Sequence, residues 1–141
     1  MEPFLIIIGI LLSLLFVLCG YLVKYKKKYF LISGYNLMGK EEKRKVDVVK
    51  ISCLMFNYML IIGLLVLFAT IFYAFSILVI AKIMLLLLIP MVLVMLVHLQ
   101  KYDGNNFKDG KLKSSTIIIL FVLALIFIFA EISFAYLLFS L

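Results

Sequence analysis

The sequence predicts an all-α, polytopic membrane protein: a bundle of four transmembrane helices with an interfacial loop on the cytoplasmic side. Three observations predict it. Apolar residues make up 67% of the 141 residues and charged residues only 15%. The apolar residues gather in long runs almost free of charge. Every lysine and arginine except Lys82 falls in the two intervals between those runs. A soluble domain carries about 45–50% apolar and about 25% charged residues. A chain this apolar has too little polar surface to face water, so lipid is the solvent in which it can fold. Its length suits a single membrane domain over residues 1–141.

A helix needs about 20 apolar residues to cross about 30 Å of hydrocarbon. Pro3 to Val23 carries no charge, and Lys24 ends it. Ile51 to Gln100 holds one charge, Lys82, and is long enough for two helices and a tight turn. Ser114 to Leu141 is apolar apart from Glu131. Backbone groups in lipid must pair within their own segment, which makes these runs helical. None alternates as a barrel strand would. The expected spans are residues 3–23, 51–73, 77–99 and 115–139. No Gly or Pro marks the second turn, which is placed near Tyr73–Ser76, with Tyr73 at an interface. Pro90 is expected to kink the third span.

Short loops rich in Lys and Arg stay in the cytoplasm. Loops 24–50 and 100–114 are therefore expected inside the cell membrane and both termini outside. The start Met1-Glu2-Pro3 lacks the basic residues of a signal peptide, and the basic cluster follows the first span instead, as in a signal anchor.

Ionisable and amide groups inside the spans are the candidate functional residues. Glu131 lies about 12 Å from the outer end of the fourth span at 1.5 Å per residue. A carboxylate there is costly and turns into the bundle. Ala124, Ile128 and Ala135 share its helical face, and the small ones leave room for a neighbour. Lys82 lies about 7–8 Å deep in the third span, within reach of Glu131. The pair is a packing ion pair, or Lys82 snorkels to water beside a protonated Glu131, or the carboxylate binds a proton or ion. Asn57, in the second span, is expected to hydrogen-bond a neighbouring helix. His98 is expected to be solvated at the cytoplasmic end of the third span, with no second ligand at metal spacing. Gly9, Ser13 and Gly20 fall within about 40° of one another at 100° per residue, a packing face within one chain or between chains. Cys19 and Cys53, near the cytoplasmic ends of their spans, read as small buried residues with free thiols.

The first loop is the distinctive stretch. Lys24, Lys26, Lys27 and Lys28 suit anionic inner-leaflet headgroups at about 1 kcal/mol each. Tyr29 to Ile32 is too apolar for water and too short to span, so it is expected at the lipid interface. Gly34-Tyr35-Asn36 reads as a turn, and Lys40 to Lys50 as a short helix leading into the second span. The basic stretch followed by Leu31, Ile32, Gly34, Tyr35, Asn36, Met38, Glu41, Glu42 and Lys43 resembles the signature of a family of small, uncharacterised prokaryotic membrane proteins, a domain of unknown function. That signature runs Leu-Ile-Ala-Gly-Tyr-Asn, then a Met, then a Glu-Glu-Lys helix start. Ser33 departs from its Ala, and Gly39 from its Ser or Thr cap. The resemblance implies a prokaryotic origin and a membrane location, and it implies no activity.

No span holds an acid–base pair, a nucleophile with its base or a metal cluster, so no catalytic, metal or cofactor site is expected and the chain reads as a non-enzyme. The lysine cluster comes with no nucleic-acid-binding module, and membrane topology explains it. The reading is a small interaction protein, accessory or immunity-like, whose partners are the bilayer and a membrane protein or a second copy. The alternative is a small ion- or proton-coupled transporter or channel using Glu131.

Overall fold

The computed structural model of the chain describes residues 2–32, 35–108 and 111–140. Gly34 of the loop motif lies outside these residues, as do the side chains of Glu131 and Ala135. The helices are α1 (Glu2–Lys24), α2 (Lys40–Arg44), α3 (Val48–Ala74), α4 (Leu78–Leu86), α5 (Leu88–Gln100) and α6 (Ser114–Ser140). A two-residue antiparallel hairpin, β1 (Phe107–Lys108) with β2 (Lys111–Leu112), precedes α6. Three stretches, Pro3–Lys24, Val48–Ala74 and Leu78–Gln100, are long and apolar enough to cross a membrane; the apolar stretch described within α6, Thr116–Ala130, is shorter.

Helices α1 and α3 form the main antiparallel pair. The stripe of small residues on α1 faces α3 within the same chain. Gly9 lies against Thr70, and Gly20 against Met59 and Phe56. Between them, the Ser13 hydroxyl donates to the Gly63 carbonyl at 2.8 Å. A Cβ on Gly63 would come within 2.8 Å of Val17 and 3.1 Å of the Ser13 carbonyl. In lipid no hydrophobic force pulls two helices together, so close backbone approach through small residues and an interhelical hydrogen bond do that work.

Helix α3 begins at Val48 because Asp47 caps it, its carboxylate accepting from the Lys50 N–H at 3.1 Å. The expected continuous helix from Lys40 is therefore two pieces, α2 and the first turn of α3. At the other end the turn falls at Phe75–Ile77. The Ile77 N–H donates to the Phe72 carbonyl at 2.9 Å and the Ser76 N–H to the Tyr73 carbonyl at 3.0 Å. This is a Schellman closure with Ser76 in the left-handed position usually held by glycine, at φ 60°.

The third apolar stretch, Leu78–Gln100, is interrupted one turn before Pro90, as the expected kink requires. Leu87, still helical in its backbone angles, separates α4 from α5. Pro90 lacks an N–H to offer the Leu86 carbonyl, and its ring crowds that group, so the interruption falls three residues before the proline. Helix α5 runs antiparallel to α3, joined to it by a hydrogen bond between the Tyr58 hydroxyl and His98 Nδ1. Helix α6 lies along α5 and α4. One cluster of the buried apolar residues, Val23, Ile32, Ile51 and Met55, sits at the end of the bundle where the two basic loops meet.

Candidate functional site

The first loop folds back onto the helix ends. After α1 the chain passes Lys27 in the left-handed region, at φ 53°, and the Lys28 N–H returns to the Leu22 carbonyl at 3.0 Å. A single 3-10 turn, Tyr29–Leu31, then carries Ile32 into the core beside Val23, Ile51 and Met55. Of the segment expected at the lipid interface, Ile32 is packed on protein, while Phe30 points outward. Tyr29 and Tyr35 meet edge to face at 6.2 Å. The Asn36 side-chain amide donates to the Phe30 carbonyl at 3.1 Å, closing the motif on itself. Outside this closure Phe30 is 60% exposed and Leu37 92%, and Lys26, Lys27 and Lys28 are exposed.

Helix α2 is short and held at both ends. The Glu42 carboxylate accepts from the Gly39 N–H at 2.9 Å, the half of a capping box that a glycine allows. Glu41 pairs with Arg44 at 2.9 Å on the surface. The Lys43 ammonium lies 5.3 Å from the centre of the Tyr35 ring, a cation–π contact that joins α2 to the motif.

The second loop is hydrogen-bonded to the first. Val46 and Asp103 form a β-bridge. The Asp47 N–H donates to the Tyr102 carbonyl at 2.9 Å, and the Gly104 N–H to the Lys45 carbonyl at 3.0 Å. A Cβ at Gly104 would come within 2.6 Å of that carbonyl, so the crossing requires glycine. The Asn105 amide reaches the Glu42 carbonyl at 2.9 Å. The Lys50 N–H, then the Lys50 ammonium at 3.0 Å, hold the Asp47 carboxyl below the usual carboxylate range.

Beneath this platform lies a cavity of about 380 Å³ between the loop, α3 and α5. Met38, Met55, Met59 and Met95 line it, with Gln100 and Asp103 as polar members. Its size is that of small-ligand pockets, and thioether side chains adapt to irregular apolar shapes.

The intramembrane candidates are dispersed. Lys82 lines a second cavity, of about 320 Å³, with Thr70 and Tyr73 between α1, α3 and α4. The packing of α6 on α4 brings the backbone of the fourth apolar run beside the helix that carries Lys82; the Glu131 side chain lies outside the described residues. Asn57 does not join α3 to another helix among the described residues, for its side chain is exposed on the outside of the bundle. His98 is not simply solvated, since Tyr58 bonds it. Cys53 is exposed and Cys19 partly so, contrary to the burial expected of both. No group of three or more His, Cys, Asp or Glu side chains is placed to hold a metal among the described residues. Tyr58 and the methionine lining were missed in the sequence. Tyr58 and His98 were visible only as isolated polar groups toward the same end of two antiparallel helices, and nothing in a run of apolar residues marks which methionines converge.

Apolar helices of this length, closed at one end by a basic platform, define a helical membrane protein. The chain belongs to the family described as a domain of unknown function (DUF3784), which matches residues 4–103. The matched stretch ends at Asp103, where the second loop bridges to Val46, and α6 follows it. No curated protein and no solved structure matches the chain.

Proposed function

We propose that this is a non-enzymatic prokaryotic protein that crosses the cell membrane four times and acts by contact. In this reading α6 is the fourth span, both termini are outside, and the joined basic loops face the cytoplasm. The platform binds anionic headgroups and receives a membrane partner, as accessory and immunity proteins do. One observation carries it: the loop buries Ile32 in the core while leaving Phe30, Leu37 and three consecutive lysines outward. A folded surface with apolar and basic residues on its outer face is built for a charged interface. Replacing Lys26, Lys27 and Lys28 by Gln in the full chain should weaken retention of anionic phospholipid on the detergent-purified protein, and added salt should do the same to the wild type. Unchanged retention in both cases removes the lipid role. Loss of co-purifying membrane protein on Phe30→Ala and Leu37→Ala would support the partner role, and an identical set of proteins would count against it.

A second reading, an ion- or proton-coupled transporter, is favoured by the placement of Lys82 on the cavity it shares with Thr70 and Tyr73. Glu131 would be the coupling carboxylate. If the two residues interact, Glu131→Gln and Lys82→Met together cost less thermal stability than the sum of the two alone. Proton uptake into proteoliposomes that survives Glu131→Gln would exclude the role.

A further inference from the structure

Asn57 is the polar group that neither the platform nor the cavities account for. It lies about 13 Å along α3 from Val48 at 1.5 Å per residue. Its side chain points out of the bundle, and no described residue hydrogen-bonds it. A carboxamide carries two donors and two acceptor lone pairs, and hydrocarbon has nothing to offer them. A surface with hydrogen-bonding groups of its own therefore suits this face better than lipid does.

The neighbours of Asn57 show what kind of surface. Cys53, Asn57, Leu60, Leu64, Leu67 and Ile71 alternate in spacings of four and three, the repeat of a coiled-coil seam. At 100° per residue they fall on one stripe of α3, and all but Leu67 are exposed. Gly63 and Tyr58, which meet α1 and α5, lie off this stripe. A single Asn in an otherwise apolar seam sets the register and number of paired helices.

We propose that α3 pairs in parallel with α3 of a second copy of this chain along this seam, with the two Asn57 amides hydrogen-bonded to each other. Copies that insert in one orientation hold their α3 helices parallel, so residues of equal depth meet about a two-fold axis. The amide is its own complement, because each can donate to the other's oxygen. The seam carries no charge from Cys53 to Ile71, so a like copy is not repelled along it. Lys50, at its edge, is paired with Asp47 at 3.0 Å.

Cys53 supplies the test, one helical turn from Asn57. In membranes containing the full chain with Cys19→Ser, a copper-phenanthroline oxidant should link Cys53 to Cys53 and give a thiol-reducible band at twice the chain mass. Cysteine moved to Leu60 or Leu64 in a Cys53→Ser background should link as well. Cysteine at Leu14, a lipid-facing control on α1 that is 60% exposed, should not link beyond the collisional rate. Asn57→Leu should slow linking at Cys53 about tenfold, and Asn57→Gln, which keeps the amide, should retain most of it. Failure to link at all three seam positions overturns the pairing. So does a rate at Leu14 equal to that at Leu60, an Asn57→Leu rate equal to wild type, or a product at Cys53 whose mass is that of a different protein.

Discussion

At the residue scale the contact between α1 and α3 is decided by single hydrogen atoms. Gly63 has no space for a methyl group between Val17 and the Ser13 carbonyl. Gly63→Ala should separate the helices, lengthen the Ser13 bond and cost about 1–3 kcal/mol, read as a lower melting temperature of the detergent-purified protein. Ser13→Ala removes the bond without crowding and should cost less, about 0.6 kcal/mol. The Asp47 cap makes a prediction in pH. Its carboxyl is lowered by the Lys50 N–H and ammonium, so its contribution is whole above the unfolded value of about 3.9. That contribution is lost as pH falls through the lower folded value. Melting temperatures of wild type and Asp47→Asn should run parallel from pH 5 to 7 and converge below about pH 4; parallel curves down to pH 2 would show that Lys50 does not favour the charged carboxyl in the folded chain.

At the scale of elements, two boundaries show how far sequence punctuation can be trusted. The break between α4 and α5 announces itself through Pro90, because a missing N–H and a ring clash are properties of the residue itself. The closure after α3 has no such mark. It uses Ser76 in a left-handed conformation that most residues avoid at about 1–2 kcal/mol, held there by hydrogen bonds to Phe72 and Tyr73. Ser76→Gly should relieve that cost, less the extra chain entropy of glycine, for a net gain of about 0.5–1 kcal/mol. Ser76→Val should lose stability. Thermal melts of the two variants moving in the same direction would contradict the turn. The loop motif was visible as a basic stretch with a turn and a helix start, yet its position was not. Read alone, Tyr29 to Ile32 is a short apolar segment; in the fold its Ile32 packs against Val23 and against Ile51 and Met55, the last two distant in sequence.

At the scale of the whole molecule, the two basic loops are one structure. The Val46–Asp103 bridge, the Gly104–Lys45 bond and the Asn105–Glu42 bond tie them, so they must occupy the same side of any membrane the chain crosses. Single cysteines at Lys40 and Lys113, both exposed, test that side without cutting these bonds, as a cysteine at Asn105 would. With the native cysteines replaced by serine, neither should react with an impermeant maleimide in intact cells, and both should react after permeabilisation. Labelling of either in intact cells would reverse the proposed orientation, and labelling of only one would break the loop-to-loop contact.

The sequence by itself determined that this chain belongs in lipid and where its charge gathers. Both are sums over residues: an excess of apolar side chains that water cannot accommodate, and lysines confined to two intervals. It also marked Gly9, Ser13 and Gly20 as a packing face, because helical periodicity is local. Only the tertiary structure decided what that face meets, that the loop is seated on the helix ends, and that the polar residues of the spans part company. Tyr58 bonds His98, Lys82 lines a cavity and Asn57 faces outward. Hydropathy is nearly uniform around these helices, so it gives the buried side no advantage over the lipid side. The choice of partner passes to shape, to the fit of a glycine under a threonine or an isoleucine among helix ends, and such fits join residues far apart along the chain.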